Sequence, residues 1–437
     1  MKKHTQSPYE SSEISYKPSG IKWLGEIPQS WKNVSIRSCF TESNQRCNTD
    51  SYPLLSVTIA NGIIYQDDIE NKKDISNDDK SNYKIVPLNA VAYNKMRMWQ
   101  GAVGVNTLTI GIVSPAYIVA IPNEKILPNF VSYLFKSKIM ISEFDKNSYG
   151  LCLDMNNLRY DDFRNIKIPL PPLQEQKEIA EFLDEKCEKI QNYIDKKQKL
   201  ITLLQEKKQA LINEVVTKGL NPNIESKNSG IEWLGEIPKH WEVKKIKYIY
   251  KSINGFTPDT SNASYYDNFN GYDWITISDI NKKYVNESEV KVSQKYIDKF
   301  HPQVTPKGSL LYSFKLSVGL VAFAKKDIYT NEAVLSFLNT NDVDLNFLYY
   351  SSFLIQFNAK ENIYGAKLLN KELINNAFMV FPPLQEQKEI AEFLDSKVAQ
   401  IDSVIEKTKK QIELVNEYKN TLINEAVCGR IKLKEVK

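Results

Sequence analysis

The stretch Gly20-Ile-Lys-Trp-Leu-Gly-Glu-Ile-Pro28 recurs as Gly230-Ile-Glu-Trp-Leu-Gly-Glu-Ile-Pro238, and the fourteen-residue run Pro171 to Asp184 recurs unbroken as Pro382 to Asp395. The two offsets, 210 and 211 positions, are far longer than the repeat of about 20–50 residues that builds a solenoid. The chain therefore reads as two domain-sized halves in tandem, each opened and closed by the same modules. Each half has room for a hydrophobic core of its own in a chain of 437 residues.

Composition narrows the class without naming a partner. The chain is 42% hydrophobic and 25% charged, as in ordinary globular proteins, so global disorder is excluded. A net charge of +4 permits a polyanionic partner but does not point to one. The five cysteines (Cys39, Cys47, Cys152, Cys187 and Cys428) are odd in number and lack CxxC spacing, so neither a zinc site nor a disulfide framework is indicated. A reducing, cytoplasmic setting is the expectation. No apolar run is long enough to span a membrane, and the first residues carry no secretory signal pattern.

Each half divides into three parts. The first is the tryptophan box, followed by a second tryptophan (Trp31 or Trp241) and alternating apolar residues (Val34, Ile36; Val243, Ile246). Its expected role is a docking edge, through Trp23, Trp31, Trp233 and Trp241, against partners or against the chain's own elements. The second part, about residues 40–168 and 250–380, is where repetition fades. β-Branched and aromatic runs such as Leu54–Ile59, Thr109–Val113 and Tyr272–Ile277 predict strands, whereas Ile126–Phe144 and Leu345–Asn358 carry helical spacing. Each variable part is expected to be a mixed α/β domain with an irregular sheet.

The third part opens on Pro-Pro, which suits a helix start, and Glu175 or Glu386 favours the dipole of the first turn. Apolar residues then recur by sevens: Leu183, Ile190, Leu204 and Leu211 in one row, and Ile194 and Ile201 in its companion. The second copy has Leu394, Ile401, Val415 and Leu422 beside Ile405 and Ile412. Lys197, Lys208, Thr408 and Lys419 interrupt the rows. A two-row seam over about five heptads predicts a coiled coil. Gly219 and Gly429 mark the helix ends. The simplest closure pairs the two helices with each other; an antiparallel pair would relate the halves by a pseudo-twofold axis, but the seam alone leaves the orientation, and dimerisation with other chains, open. The resulting division is an N-terminal segment 1–19, variable domain 20–170, helix 171–219, linker 220–229, variable domain 230–381, helix 382–429 and tail 430–437.

Chemistry is sparse. The histidines His4, His240 and His301 have no second ligand or nucleophile at a recognisable spacing, and His240 is expected at the surface. No Walker loop, dinucleotide fingerprint, HExxH or Gly-x-Ser-x-Gly elbow occurs. No Asn-Pro-Pro-aromatic or Asp-Pro-Pro-aromatic motif for methylating a flipped adenine is present. Gly101 and Gly104, and the glycine of Ser317-Val-Gly-Leu320, read as backbone glycines. No catalytic or metal-binding residues are assigned.

The paired Trp-Leu-Gly-Glu-Ile-Pro boxes, the two Pro-Pro-Leu-Gln-Glu-Gln helices running to Asp184 and Asp395, and the divergent middles together resemble the specificity subunits of type I DNA restriction-modification systems. The resemblance covers essentially the whole chain. It implies two target-recognition domains, a helical spacer that is usually antiparallel, and a subunit that is not catalytic by itself. The implied partners are double-stranded DNA, two modification subunits and two restriction subunits, with S-adenosylmethionine, ATP and Mg2+ bound by those partners. Two other classes stay open: a self-sufficient nucleic-acid enzyme, disfavoured by the missing motifs, and a coiled-coil scaffold, disfavoured by the divergent middles.

Candidate DNA contacts are stretches where basic, amide and aromatic side chains interleave. They are Tyr93, Asn94, Lys95, Arg97, Trp99 and Gln100 in the first half, and Asn281, Lys282, Lys283, Tyr284, Ser313 and Lys315 in the second. The stretch matching Asn281–Tyr284 in the first half is Asn61–Tyr65. Arg97 leads, because a guanidinium can pair bidentately with guanine.

Overall fold

The tryptophan box folds as a hairpin in both copies, and its strands do little more than place the residues that follow. The computed structural model describes residues 15–47, 52–69, 80–150, 156–315, 317–361 and 367–431; His4, Cys152 and most of both terminal segments lie outside them. The chain forms two compact units: unit 1 takes in residues up to Gln198 and from Lys409, and unit 2 runs from Lys199 to Thr408. They are not the linear halves that the repeat offset predicts. Each unit contains one variable domain and draws on both long helices.

In unit 1, Tyr16–Pro18 pairs antiparallel with Glu26–Pro28 to close the box. The strand after it, Lys32–Ser35, pairs with Lys167–Leu170, the last strand before the first long helix. A four-stranded sheet follows in the order Phe40–Ser43, Tyr117–Pro122, Val91–Asn94, Val103–Val105. Two further antiparallel pairs, the hairpin Leu55–Thr58 with Gly62–Tyr65 and the more distant Lys84–Val86 with Gly111–Val113, account for the predicted β-branched runs of this unit. The helical spacing of 126–144 resolves into two helices, Pro128–Lys136 and Lys138–Lys146. They break at Ser137, whose hydroxyl accepts the Met140 N–H and caps the second. The core is aromatic: the Phe135 ring lies 5.6 Å from Phe40, 5.6 Å from Phe144 and 5.7 Å from Phe163.

Unit 2 repeats the frame with a different interior. Ser226–Asn228 pairs with Glu236–Pro238, and Glu242–Lys245 with Phe378–Phe381. The main sheet has five strands, ordered Ser252–Asn254, Val334–Phe337, Leu310–Ser313, Val321–Ala324, Tyr284–Val285, with the last pair parallel. A smaller three-stranded sheet centres on Tyr272–Ile275. The helical spacing of 345–358 becomes an α-helix, Leu345–Ser351, followed by 3-10 turns over Ser352–Asn358.

The long helices are Leu173–Lys218 and Leu384–Val427, the first about 69 Å long at 1.5 Å per residue. Every predicted seam position is buried or half-buried. The pairing is antiparallel. In unit 1, Leu183 and Ile190 from the first helix share a core with Leu422, Ile423 and Ala426 from the end of the second. In unit 2, Leu211, Ile212 and Val215 share a core with Ile390, Leu394 and Val398 from its beginning. Two of the four polar residues that interrupt the rows carry cross-helix bonds: Lys208 to Asp402 at 2.6 Å and Lys419 to Gln191 at 3.5 Å. Polar residues in a seam fix register at some cost in stability. No helix among the described residues is long and apolar enough to cross a membrane.

Candidate nucleic-acid interface

The motif Pro-Pro-Leu-Gln-Glu-Gln is a set of anchors that hold each variable domain on the helices. Glu175 accepts the Trp31 indole N–H at 2.7 Å on one oxygen and the Ser30 hydroxyl at 3.0 Å on the other. Glu386 likewise accepts the Trp241 indole at 2.9 Å and meets His240 Nε2 at 2.6 Å. His240 is exposed, as expected, and its ring also ties the box to the helix start. The next residue, Gln176, is fully buried: it accepts the Leu127 N–H at 2.7 Å and donates to the carbonyls of Lys125 and Pro171 at 3.0 and 2.9 Å. Gln387 does the same with the Asp344 N–H and the Pro382 carbonyl. Further along, Asp184 accepts the Tyr133 hydroxyl, and Asp395 accepts that of Tyr350.

Of the two roles expected for the tryptophans, Trp31 and Trp241 take the internal one: they are 1% and 0% exposed. Each indole is held from two sides: from the start of one long helix by the glutamate, and from the end of the other by a glycine with no side chain in the way. A Cβ on Gly429 would lie 3.0 Å from Trp31 Cη2, and one on Gly219 would lie 3.2 Å from Trp241 Cζ2. Both glycines also adopt positive φ, +75° and +78°, which ends a helix readily only at glycine. Trp23 and Trp233 are half-buried against the same cores, and Trp233 stacks on Phe357 at 4.8 Å.

With the frame accounted for, the candidate contact residues separate into inside and outside. Tyr93 and Ser313 are 0% exposed, which removes both from any solvent-facing surface. Tyr93 packs on Phe163 at 4.9 Å, and Ser313 bonds within its own turn, to the Ser317 carbonyl and the Leu320 N–H. Tyr93 and Tyr312 occupy central strands of the two main sheets, and neither hydroxyl has a partner among the described residues; burial pushes both phenols well above their usual range. A buried hydroxyl without a partner costs desolvation and returns nothing. Tyr93→Phe is therefore expected to be neutral or stabilising by up to about 1 kcal/mol in urea denaturation; a loss would mean that the hydroxyl has a role.

Lys283 is also committed elsewhere. Its ammonium bonds Asp395 on the second long helix at 2.5 Å and lies 5.1 and 5.7 Å from the rings of Tyr349 and Tyr350. It ties its loop to the frame and leaves Asn281, Lys282 and Tyr284 exposed beside it. Lys315 pairs with Glu332 at 2.8 Å, with both side chains about half exposed, an ion pair of little net worth.

In unit 1 the exposed candidates sit on one braced turn. Asn94 Oδ1 accepts the Met96 N–H, the Trp99 indole donates to the Met96 carbonyl, and Gly101 closes the turn at φ +90°. Arg97 and Gln100 face solvent, with Asn94, Lys95 and Trp99 half-exposed. The brace beneath is Lys136, whose ammonium donates to the carbonyls of Thr58, Ile59 and Gly101 at 3.1, 2.7 and 3.0 Å. It thereby joins the tip of the Leu55–Tyr65 hairpin, which includes Asn61, to the Arg97 turn. Lys136 is missed by a search for exposed basic residues; its one sequence signal is a lysine at the end of a helix whose other residues are mostly apolar.

Burial lowers the Lys136 pKa to about 8, below the ordinary lysine value of about 10.4 that holds in the unfolded chain. Between those values the unfolded chain binds more protons, so this group's contribution to stability rises with pH from about 8 upward. Lys136→Met removes the donor shared by three carbonyls, two part-buried (Thr58, Gly101) and one exposed (Ile59), and is expected to cost about 1–3 kcal/mol at pH 7. The gap between wild type and variant should widen as pH is raised from 8 toward 10. Chemical denaturation across that range checks it, and a gap that narrows would contradict the assignment.

No group of His, Cys, Asp or Glu among the described residues could hold a metal ion. The described surface offers braced turns bearing basic, amide and aromatic groups rather than a catalytic cluster.

Residues 28–204 and 238–414 each match the family model described as the type I restriction modification DNA specificity domain. The type I restriction enzyme MjaVIII specificity subunit of Methanocaldococcus jannaschii is 28% identical over 351 residues, 75% of this chain and 76% of its own. The type I restriction enzyme EcoKI specificity subunit of Escherichia coli is 22% identical over 326 residues, 71% of this chain and 67% of its own. Two solved structures share the fold. One, described as "Structural basis underlying complex assembly and conformational transition of the type I R-M system", has a TM-score of 0.72 at 16% identity, covering 93% of this chain and 99% of that one. The HsdS subunit from Thermoanaerobacter tengcongensis has a TM-score of 0.53 at 17% identity, covering 93% and 98%.

Proposed function

Because the chain belongs to the type I restriction-modification DNA specificity family, we propose that its two variable domains each read one half of a bipartite, asymmetric duplex DNA site. The paired helices set the unspecified gap between the halves. The chain is the specificity subunit of such a system and not a catalyst. On this reading it recruits two modification subunits, which bring S-adenosylmethionine for adenine methylation, and two restriction subunits, which bring ATP and Mg2+ for translocation and cleavage.

The observation that carries the reading is where the two units agree and where they differ. They agree in every anchor: Trp31 and Trp241, Glu175 and Glu386, Gln176 and Gln387, Asp184 and Asp395. They differ in the loops those anchors hold, a four-stranded sheet with the Arg97 turn in one and a five-stranded sheet with the Asn281–Tyr284 loop in the other. A common frame with unlike loops suits two different words of sequence. The exposed Arg97 and Gln100 and the half-exposed Asn94, Lys95 and Trp99 are assigned to one word, and the exposed Asn281, Lys282, Tyr284 and Lys315 to the other.

Arg97→Ala in the assembled complex is expected to relax preference at one or two base pairs by about 1–3 kcal/mol, or to lower the salt slope of binding by about 1. A relaxed preference should be confined to one half-word, whereas a lowered salt slope should weaken binding to all sequences alike. Unchanged affinity, salt slope and base preference would remove Arg97 from the interface.

A further inference from the structure

Unit 2 contains a polar cleft of about 770 Å3 where the variable domain meets the first turns of the second long helix. Three lysines line it: Lys307 and Lys325 from the domain and Lys388 from the helix. None of the three is ion-paired among the described residues, whereas Lys283, Lys315 and Lys326 of the same unit each hold a carboxylate. The carboxylate in the lining, Asp344, already accepts the N–H groups of Asn346 and Phe347 at 2.6 and 3.0 Å. Lys325 stands 5.2 Å over the ring of Tyr284, which is 50% exposed.

Unpaired cations gathered around one cleft repel each other, and an anion placed among them removes that repulsion. Lysine binds phosphate as a point charge and, unlike the arginine fork, imposes no fixed geometry, which suits a backbone contact that does not read sequence. The volume exceeds that of a single phosphate and suits a stretch of sugar and phosphate beside the Tyr284 ring.

We propose that this cleft is a clamp for the phosphodiester backbone of the duplex flanking the half-site read by unit 2, with Lys307, Lys325 and Lys388 as its cationic contacts. The inference rests on the DNA-reading function above and adds to it a contact that positions DNA without reading sequence. Because Lys388 belongs to the repeated frame, the clamp fixes the duplex against the long helix itself.

The test is the salt dependence of DNA binding by the assembled complex carrying Lys307→Ala, Lys325→Ala and Lys388→Ala together, with the three Lys→Arg changes as a control for folding and charge. The log-log slope should fall in magnitude by about 2–3 in the alanine variant, at about 0.9 for each phosphate no longer neutralised. It should stay near wild type in the arginine variant, and the methylated sequence should be the same in all three. An unchanged slope in the alanine variant overturns the clamp while leaving the DNA-reading function intact. So does a lowered slope accompanied by a changed second half-word, which would make the lysines readers of bases. Titration of the chain alone with inorganic phosphate separates the source of the anion: saturation by phosphate together with an unchanged DNA slope assigns the cleft to a free anion and overturns the clamp. If the wild-type complex shows no sequence-specific binding, the functional reading fails and this inference falls with it.

Discussion

Replacing Trp31 with alanine is expected to lower the stability of unit 1 by about 3–5 kcal/mol, the cost of emptying a large buried aromatic site. The indole is 1% exposed, donates to Glu175 at 2.7 Å and lies against Gly429, so the variant loses packing and leaves one carboxylate oxygen short of a donor. Trp241→Ala should do the same to unit 2 through Glu386 and Gly219. Because each indole touches the start of one helix and the end of the other, the damage should loosen helix ends as well as the domain. Denaturation of either variant is expected to split into two transitions, with only the unit that carries the substitution shifted. Glu175→Gln keeps an acceptor for the indole and should cost about 1 kcal/mol. A Trp31→Ala loss no larger than that of Glu175→Gln would mean that the tryptophan is a surface edge after all.

Lengthening both long helices by four residues at matched positions is expected to lengthen the gap of the recognised DNA site or abolish its recognition, with both half-words intact. Four helical residues add about 6 Å, close to two base pairs, and also turn whatever follows them. The antiparallel register joining Lys208 to Asp402 and Lys419 to Gln191 makes the matched insertion necessary, because an insertion in one helix alone would slide the apolar rows out of line. The complex should then modify a site with a longer gap, or lose modification where the added turn faces a domain away from its groove, with both half-words unaltered. Modification of the original site at its original spacing would refute the idea that the helices set the gap.

The frame was legible in the sequence because it is written in periodicities. Heptad rows such as Leu183, Ile190, Leu204 and Leu211 define a seam whichever way the partner helix runs. For the same reason they could not give the orientation, which depends on residues from the two ends of the chain meeting within one unit. The Trp31–Glu175 bond joins residues 144 positions apart, beyond the reach of any local pattern. A usable signal was nonetheless present: tryptophan, glutamate, glutamine and aspartate keep their places in both copies while the middles between them change, as residues that bond each other across a fold must.

The contact residues were less legible, for a physical reason. In Tyr93-Asn-Lys-Met-Arg-Met-Trp-Gln100 the aromatic and basic residues mix because a strand runs into a turn. The strand buries Val91, Ala92 and Tyr93, and only the turn exposes Arg97 and Gln100. Composition in such a window describes two environments at once. Lys283 misleads in the opposite way, as an apparent surface cation whose partner, Asp395, is 112 positions away. The cleft at Lys307, Lys325 and Lys388 could not be read at all, since its three lysines come from separate elements and share no spacing.

The most direct measurement is sequencing of the methylated adenines in DNA modified by the complex containing this chain. The account predicts one asymmetric site of two different short words separated by a fixed number of unspecified base pairs. Exchanging the variable region of unit 1 should replace one word while leaving the other word and the gap unchanged. A single uninterrupted or palindromic word, or an exchange that alters both words, would contradict it.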